Sequence, residues 1–258
     1  LQECRDDPAG LKMRDGYSTQ RVYECIWSPT NPSGSVSILV AGNSISHRAT
    51  KILHTILKDN ANLKEMRLFA HSACRPTENC PLFHIAMTKL VKRMQPDITI
   101  LITDDSVALR TPITNLATDK PLSDFVNFLK PFSACSKYVV LDEFYPHATM
   151  PAGIAVSLHK RLMRRQKLDD LKSRYQNFLS QYSPYFRRID QLPARFPNLV
   201  RHNTSGPLCA EEPGTCWWYN RSNMHAYFTD NAHLTADGLE LERASYERIL
   251  KDLMTRVK

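Results

Sequence analysis

The chain has 258 residues, of which 42% are hydrophobic and 23% charged, so it has enough apolar material for one large globular domain or two small ones. This composition excludes disordered and fibrous classes, and no stretch approaches the roughly 18 to 20 apolar residues that span a bilayer. The net charge of +8 favours acidic partners such as anionic headgroups, acidic glycans or nucleic acid, without choosing among them.

Five apolar segments alternate with segments of helical periodicity. The predicted strands are 35–41, 66–70, 97–103, 137–141 and 198–200, and the predicted helices are 45–57, 81–94, 122–129, 152–163, 168–179 and 235 to the end. Strands separated by helices predict right-handed βαβ units and a three-layer α/β/α sandwich with a mostly parallel five-stranded sheet. We expect one α/β domain over residues 35–258, preceded by an N-terminal arm, residues 1–34, that a disulfide holds.

Seven cysteines favour an oxidising compartment. Near-neighbour pairing is the simplest hypothesis, although several connectivities are compatible with the sequence. The predicted pairs are Cys4 with Cys25, Cys74 with Cys80, and Cys209 with Cys216. Cys135 is then left over.

Two N-x-[ST] sequons lie in the same cysteine-rich region, at Asn203 and Asn220. Both fit glycosylated surface loops of a secretory protein. Together with the cysteines they predict an extracytoplasmic domain, either extracellular or in the lumen of the secretory pathway. The chain opens without an initiator Met or a signal-peptide pattern, so we interpret it as a mature or excised segment.

A zinc site is the alternative use of the first cysteine loop. His71, Cys74, Cys80 and His84 are four zinc-capable side chains close together in the sequence. Their spacing is not that of a standard zinc finger, and an oxidising compartment favours a disulfide. We therefore predict no metal.

A basic cluster between His159 and Arg174 accounts for much of the positive charge. The simplest interpretation is a solvated helix face. No basic motif interleaved with aromatic residues resembles a nucleic-acid module, so we predict no nucleic-acid partner. The sequence also contains neither GxGxxG nor GxxxxGK[ST], which excludes nucleotide-binding loops of those types.

The first predicted strand ends in Gly42-Asn43-Ser44. Ligands of parallel α/β sheets bind at the carboxyl ends of the strands, so Ser44 is a candidate nucleophile at the start of the next helix. Unpaired N–H groups and the helix dipole at that position stabilise an oxyanion, and Gly42 permits a tight turn. The alternative is that Ser44 only caps the helix.

Near the C-terminus, Asp230 and His233 precede the last predicted helix, with Thr235 as its expected N-cap. This spacing lets the carboxylate accept the imidazole Nδ1–H while Nε2 faces outward as a general base. A serine hydroxyl is barely ionised at neutral pH and needs such a base. An Asp-x-x-His alone is weak evidence, but with an exposed serine after the first strand it predicts a Ser-His-Asp triad.

These two segments resemble the first and last blocks of the SGNH (GDSL-like) hydrolase superfamily, whose fold is flavodoxin-like. The first is Ile38–Ser44, with Asn43 where Asp is usual, and the second is Asp230–Thr235. Within the superfamily the chain looks most like the extracytoplasmic SGNH domain that follows a multi-pass family-3 membrane acyltransferase. The resemblance implies such a membrane domain as partner, an acyl donor, and a hydroxyl acceptor such as a glycan.

The resemblance also implies site residues. Oxyanion-hole donors would be the Ser44 N–H and, in the loop that matches the second block, Ser72 or Ala73. The third block usually ends in Gly-x-Asn-Asp, whereas this chain has Thr103-Asp104-Asp105-Ser106, and an ionised carboxylate donates no hydrogen bond. Trp217 and Trp218 could line an acceptor site, with packing in the core as the alternative.

We therefore predict serine-type acyl transfer or ester hydrolysis that requires no metal or organic cofactor. Two alternatives stay open: an SGNH-fold binding or sensing module with little or no turnover, and a free-standing secreted esterase. His47 and His225 lie near the site in the sequence, and for these two residues solvent-exposed or structural roles are expected.

Overall fold

The computed structural model describes residues 22–28, 33–77, 80–103, 107–143, 150–210 and 212–257. Its strands, in chain order, are β1 (Val22–Trp27), β2 (Val36–Gly42), β3 (Leu63–His71), β4 (Ile98–Ile102), β5 (Tyr138–Asp142), β6 (Lys172–Arg174), β7 (Leu199–His202) and β8 (Thr215–Trp217). Six of them form the central sheet in the order β1-β3-β2-β4-β5-β7, and β6 pairs with β8 in a separate two-stranded sheet.

Helices connect most of these strands. They are α1 (Ser44–Leu57), α2 (Pro81–Met94), α3 (Lys120–Cys135), α4 (Ile154–Met163), α5 (Tyr175–Gln181), α6 (Ser183–Ile189), α7 (Ser205–Leu208) and α8 (Ala236–Arg256). Two short 3₁₀ helices span Val107–Arg110 and Leu116–Thr118. Across the described ranges, no helix is both long and apolar enough to cross a membrane.

The five predicted strands are all present and pair in parallel, as β3, β2, β4, β5 and β7. The sheet nevertheless has six strands, because β1 joins its edge antiparallel to β3, with Val22 opposite His71 and Trp27 opposite Met66. β1 lies within the predicted N-terminal arm, so part of that arm belongs to the sheet.

The predicted three-layer arrangement is confirmed by the two hydrophobic clusters that cover the sheet. On β2, Ile38 and Val40 pack on the side that carries α1 and α8, whereas Leu39 and Ala41 pack on the side that carries α2 and α3. Because both faces are covered, β2 is buried along its whole length. This explains why its sequence is continuously apolar instead of alternating.

The helix predicted over residues 168–179 is wrong in its first part. Residues 172–174 form β6, with Ser173 opposite Cys216 of β8, and the helix begins only at Tyr175. The Leu171 carbonyl accepts a hydrogen bond from the Trp218 N–H at 3.1 Å. The backbone groups of this segment therefore pair with the second cysteine loop and are not available for hydrogen bonds within a helix. This tertiary pairing overrides the helical periodicity of the apolar residues.

Candidate active site

Ser44 is the first residue of α1, two residues after β2 ends. The helix cap is Asn43, whose Oδ1 accepts the Ile45 N–H at 3.0 Å. The interpretation of Ser44 as a mere N-cap is therefore wrong. Its hydroxyl is directed elsewhere, and as the first helical residue its own N–H has no acceptor within the helix.

Gly42 makes the turn before Ser44 possible. Its φ is +151°, and a Cβ at this position would lie 1.9 Å from the carbonyl oxygen of Ile102 at the end of β4. Only glycine lets β2 approach β4 this closely just before the chain turns into α1. The residue therefore fixes where Ser44 emerges from the sheet.

A compact turn before α8 carries the predicted acid and base. Asp230 Oδ1 accepts the N–H groups of Ala232 and His233, both at 2.8 Å, and the Thr229 N–H donates to the His233 carbonyl at 2.8 Å. The turn ends at Thr235, whose Oγ1 accepts the Gly238 N–H at 3.1 Å and caps α8 as predicted. These hydrogen bonds lie within the turn, so they orient the side chains of Asp230 and His233 independently of α1.

The turn and α1 bring the three predicted side chains together. Ser44 Oγ lies 2.7 Å from His233 Nε2, and His233 Nδ1 lies 2.7 Å from Asp230 Oδ2. A carboxylate accepts only, so Nδ1 carries the proton and Nε2 is left to accept the serine O–H. This is the arrangement in which an imidazole can deprotonate a serine.

The charges in this relay are set by its surroundings. Partial burial alone would raise the pKa of Asp230, but hydrogen bonds from the His233 N–H, the Ala232 N–H and the His233 ring hold the pKa of that carboxyl below its ordinary value. Asp230 therefore stays ionised. The His233 side chain is 25% exposed, so the relay is open to solvent.

The start of α4 packs directly against the backbone of Asp230. The Ile154 N–H donates to the Asp230 carbonyl at 3.2 Å, and a Cβ on Gly153 would lie 2.9 Å from the Asp230 Cα. Asn231 exchanges two hydrogen bonds with the Met150 backbone, at 3.2 and 2.9 Å. The start of α4 and the residues just before it therefore add to the hydrogen bonds that hold the turn.

A second support comes from α1 itself. Arg48 Nη1 donates to Thr229 Oγ1 at 3.1 Å, and that hydroxyl donates to the His233 carbonyl at 3.2 Å. Arg48 and Thr229 thus tie the helix that carries the serine to the turn that carries the histidine. The sequence analysis missed these two positioning residues, because nothing in the pattern links them.

The residues predicted to donate to an oxyanion, Ser72 and Ala73, lie in the loop after β3. Ser72 is half-buried and Ala73 is exposed at a positive φ of 62°. Within the described residues, neither backbone N–H donates a hydrogen bond. The Ser72 carbonyl accepts the His71 Nδ1–H at 2.7 Å, which fixes the direction of this peptide group. Their role in an oxyanion hole stays a prediction.

The third-block residues Asp104, Asp105 and Ser106 lie outside the described residues, as does the predicted disulfide residue Cys4. Cys25, the expected partner of Cys4, is disulfide-bonded. Cys74–Cys80 and Cys209–Cys216 are disulfides as predicted, and Cys135 is a free thiol.

The first cysteine loop contains the residues of the zinc alternative. His71, Cys74 and Cys80 lie close enough together to hold an ion. The two sulfurs are bonded to each other, however, and a disulfide offers no thiolate to a metal. The chemistry of this donor set therefore does not fit a structural zinc ion.

The predicted acceptor-site tryptophans are both buried, with 5% and 3% of Trp217 and Trp218 exposed. The Trp217 indole N–H donates to Glu212 at 3.2 Å, and Arg221 lies over its ring. Trp218 packs against Phe228. This burial fits the packing role, and their contact with substrate stays a prediction.

The two sequons have similar local structures, and Asn220 is half-buried. Asn203 is exposed and its Oδ1 accepts the Ser205 O–H at 2.8 Å, while Asn220 Oδ1 accepts the Ser222 O–H at 2.6 Å. Glycosylation itself stays a prediction. Of the two nearby histidines, His47 stacks on Tyr23 at 3.9 Å and His225 is exposed and paired with Asp237 at 2.7 Å.

A second Ser-His-Asp arrangement, which the sequence analysis missed, joins β5, β7 and α8. His202 Nδ1 lies 2.9 Å from Asp142 Oδ1, and His202 Nε2 lies 2.9 Å from Ser245 Oγ. Tyr246 also donates to Asp142. His202 is fully buried, and Ser245 sits in mid-helix where backbone N–H groups are already paired. The His202 imidazole is therefore closed to substrate, and no oxyanion site adjoins Ser245. The role of this second arrangement is structural.

Comparisons with known proteins identify the family and support the fold. The family described as "SGNH domain (fused to AT3 domains)" matches residues 4–248. No curated protein sequence matches the chain significantly.

Several solved structures are similar. One is the periplasmic domain of a lipopolysaccharide acetyltransferase from Salmonella ser. Paratyphi A, at 13% identity and a TM-score of 0.62, covering 84% of this chain and 84% of that one. An acetylxylan esterase mutant from Geobacillus stearothermophilus has 11% identity and a TM-score of 0.48, over 85% and 94% of the two chains. The catalytic domain of Streptococcus pneumoniae peptidoglycan O-acetyltransferase A has 12% identity and a TM-score of 0.44, over 86% and 97%. The first of these supports the fold.

Proposed function

This chain belongs to the SGNH family and is an enzyme of the acyltransferase or esterase class, and from that premise we propose that Ser44, His233 and Asp230 are its catalytic triad. The observation that carries the proposal is the unbroken relay of two 2.7 Å contacts, from Asp230 through His233 to the Ser44 hydroxyl. The relay begins at the carboxyl end of β2, where ligands of parallel sheets bind.

The first half-reaction forms an acyl-enzyme. Ser44 Oγ attacks the carbonyl carbon of an acyl ester while its proton moves to His233 Nε2. The bond between the carbonyl carbon and the leaving oxygen then breaks, and His233 returns the proton to that oxygen. Asp230 stays ionised throughout and stabilises the imidazolium, in keeping with its lowered pKa.

The tetrahedral oxyanion would be stabilised by backbone donors. The Ser44 N–H at the start of α1 is one, and the helix dipole adds to it. The N–H groups of Ser72 and Ala73, which donate to no described acceptor, are the other candidates. The sequence offers Asp104 and Asp105 where related proteins offer an amide donor, and losing one donor typically costs about 10²–10³ in rate. A specialised transfer reaction therefore fits better than rapid, general ester hydrolysis.

The second half-reaction uses an acceptor hydroxyl. That hydroxyl gives its proton to His233, its oxygen attacks the acyl carbon, and Ser44 recovers its proton as the acyl-enzyme bond breaks. We propose a glycan hydroxyl as the natural acceptor, with water as the alternative that makes the enzyme an esterase. The similar Salmonella domain belongs to a protein that acetylates lipopolysaccharide, which supports a sugar acceptor.

The setting of this reaction is extracytoplasmic. The disulfides Cys74–Cys80 and Cys209–Cys216 support an oxidising compartment, and the sequons at Asn203 and Asn220 are compatible with a secretory protein. The matched family is described as fused to AT3 domains, which supports a membrane acyltransferase domain as the source of the acyl group.

A labelling and turnover experiment tests the proposal. The 258-residue chain is incubated with a chromogenic short-chain acyl ester, and separately with a serine-directed phosphonate followed by peptide mapping. We expect ester turnover and a phosphonate adduct on Ser44, both lost in Ser44→Ala. Added sugar hydroxyls should divert the acyl group from water if the enzyme is a transferase. Equal turnover by the two proteins, with no Ser44 adduct, would leave the non-catalytic binding module as the better description.

A further inference from the structure

Helix α4 exposes apolar side chains that the proposed reaction does not use. Val156 is 43% exposed, Leu162 41% and Met163 73%. Met224, from the neighbouring loop, is 42% exposed. We call these residues, together with the exposed side chains of His159, Lys160, Arg164, Arg165 and Lys167, the α4 surface.

The helical periodicity of α4 separates an inner from an outer face. Ile154 and Leu158 are buried on the inner face. Val156 and Met163 are seven residues apart and therefore lie on one outer line, with Lys160 between them. This outer face mixes large apolar side chains with cations, whereas an ordinary surface helix presents polar side chains to water.

The cations continue beyond the end of the helix. Lys160, Arg164, Arg165 and Lys167 are exposed, and none makes a side-chain ion pair with a described residue. Arg161 differs, because it pairs with Asp170. A solvated face would account for these cations but not for Leu162 and Met163 among them.

The apolar part of the α4 surface extends into a groove of about 410 Å³ beside the helix. Leu158, Leu162 and Met224 line it, together with His159 and His225. Thr235 and Asp237 line its other side, so the groove is a mixed recess whose apolar part lies along α4, next to the exposed cations.

The surface is close to the proposed active site. α4 starts where the Ile154 N–H meets the Asp230 carbonyl, and its ten residues extend about 15 Å from that point. A partner that docks on the α4 surface would therefore lie beside the turn that carries Asp230 and His233.

We propose that the α4 surface docks on an anionic lipid surface. Val156, Leu162, Met163 and Met224 would enter the boundary between headgroups and acyl chains, while the cations pair with lipid phosphates. Surfaces that combine apolar side chains with Lys and Arg bind anionic membranes. Each cation close to the membrane strengthens binding about fivefold. Charge complementarity selects an anionic lipid over a neutral one. The inference does not depend on Ser44 being a nucleophile.

The outer face of α2 also exposes apolar and basic side chains, so we compared it with the α4 surface. Leu82 and Ile85 are 46% and 50% exposed there, and Lys89 and Lys92 are exposed further along the helix. Its apolar and basic residues are separated along the helix, whereas those of α4 are interleaved. This face therefore supplies a charge-matched control.

Vesicle sedimentation of the 258-residue chain tests the proposal, with phosphatidylcholine vesicles that contain or lack phosphatidylglycerol. We compare the wild type with Lys160→Gln/Arg164→Gln/Arg165→Gln and with Leu162→Ser/Met163→Ser. The control is Lys89→Gln/Lys92→Gln/Arg93→Gln, which removes the same formal charge from α2. Ser44→Ala is included so that loss of catalysis and loss of docking are distinguishable, and circular dichroism verifies that each variant is folded.

We expect binding only when phosphatidylglycerol is present, and weakening in high salt. The triple α4 substitution should lower the partition coefficient about 100-fold and the apolar double substitution about tenfold, while the α2 control changes it by far less. Ser44→Ala should bind like the wild type. Equal binding to both vesicle types, or an α2 effect as large as the α4 effect, would overturn the proposal.

Discussion

His233 Nε2 lies 2.7 Å from Ser44 Oγ across a sequence separation of 189 residues. The contact joins the turn that precedes the last helix to the first residue of α1. Because β2 lies in the middle of the sheet and α8 packs beside α1, the proximity is a property of the whole fold and not of a local motif.

Two Ser-His-Asp relays occur among the described residues, and we expect only one to be catalytic. Ser44→Ala should lower turnover of a chromogenic acyl ester by at least about 10³-fold, because it removes the nucleophile. Ser245→Ala removes the hydroxyl at 2.9 Å from His202 and should leave turnover within about twofold, because the His202 imidazole is fully buried and Ser245 lies in mid-helix without an oxyanion site. Similar losses in the two variants would mean that the assignment of the site is wrong.

Asp230→Asn should lower kcat by about 10³–10⁴-fold, because an amide can donate to Nδ1 and so favours the tautomer with the proton on Nε2. The matched control is Asp237→Asn, which alters the exposed pair between Asp237 and His225, 2.7 Å apart, outside the relay. Steady-state kinetics of both variants decide the point, and a control that loses as much activity would contradict a specific role for Asp230.

Asp230 also carries a pH prediction. Its pKa in the folded state is below the ordinary value of 3.8, so the stability that it contributes is present above pH 3.8 and is lost as the pH falls through the folded-state pKa. Asp230→Asn should therefore flatten the acid side of the stability profile, measured as the urea midpoint against pH. If Asp230→Asn leaves the pH dependence of the urea midpoint unchanged at acid pH, the pKa of Asp230 is the same in the folded and unfolded states.

Glu242 should destabilise the protein as the pH rises. Its carboxyl is buried without a hydrogen-bond partner among the described residues, and desolvation, followed by the charge of Asp142, raises its pKa well above 4.5. The folded state therefore binds this proton more tightly, and stability falls as the pH rises above 4.5 towards the folded-state pKa.

The substitution that tests this is Glu242→Leu, which should raise the free energy of unfolding at neutral pH by about 1–3 kcal/mol. Glu240→Gln, on the exposed side of the same helix, should change it by less than about 0.5 kcal/mol. Denaturant titrations across the pH range provide the comparison. A Glu242→Leu protein that is no more stable at high pH would contradict the assignment.

Gly42→Ala should destabilise the fold by about 3 kcal/mol or more, because its Cβ would lie 1.9 Å from the Ile102 carbonyl oxygen. Gly214→Ala is the control: Gly214 also has a positive φ, +79°, but a Cβ there meets nothing within 4 Å. It should cost only about 1–2 kcal/mol of backbone strain. Thermal unfolding of both variants separates steric clash from strain.

Much of the site could be predicted because each half has its own local signal. Gly42-Asn43-Ser44 follows a continuously apolar strand, and Asp230 and His233 precede a helix that Thr235 caps. The helix cap could not be assigned in the same way, since Asn and Ser are about equally good N-caps. Only the backbone geometry selects Asn43 and frees Ser44.

The edge strand and the buried relay were harder to predict. Val22–Trp27 contains one charged residue, Glu24, and no apolar–polar alternation, and the cysteine pattern favoured a disulfide-held arm. Only pairing with β3 turns the segment into a strand. Asp142 and His202 each end a strand, yet their contact depends on β5 and β7 being neighbours in the sheet. Strand order is a long-range property that periodicity does not encode.

The antiparallel pairing of β1 has a practical consequence. A chain shortened to begin at residue 35 would leave β3, nine residues long, with its outer backbone groups unpaired, and it would also remove the phenol of Tyr23 that Ser72 contacts at 3.0 Å. Such an open edge is a template for strand addition between molecules. Self-association, rather than simple loss of a tail, would be the result of that truncation.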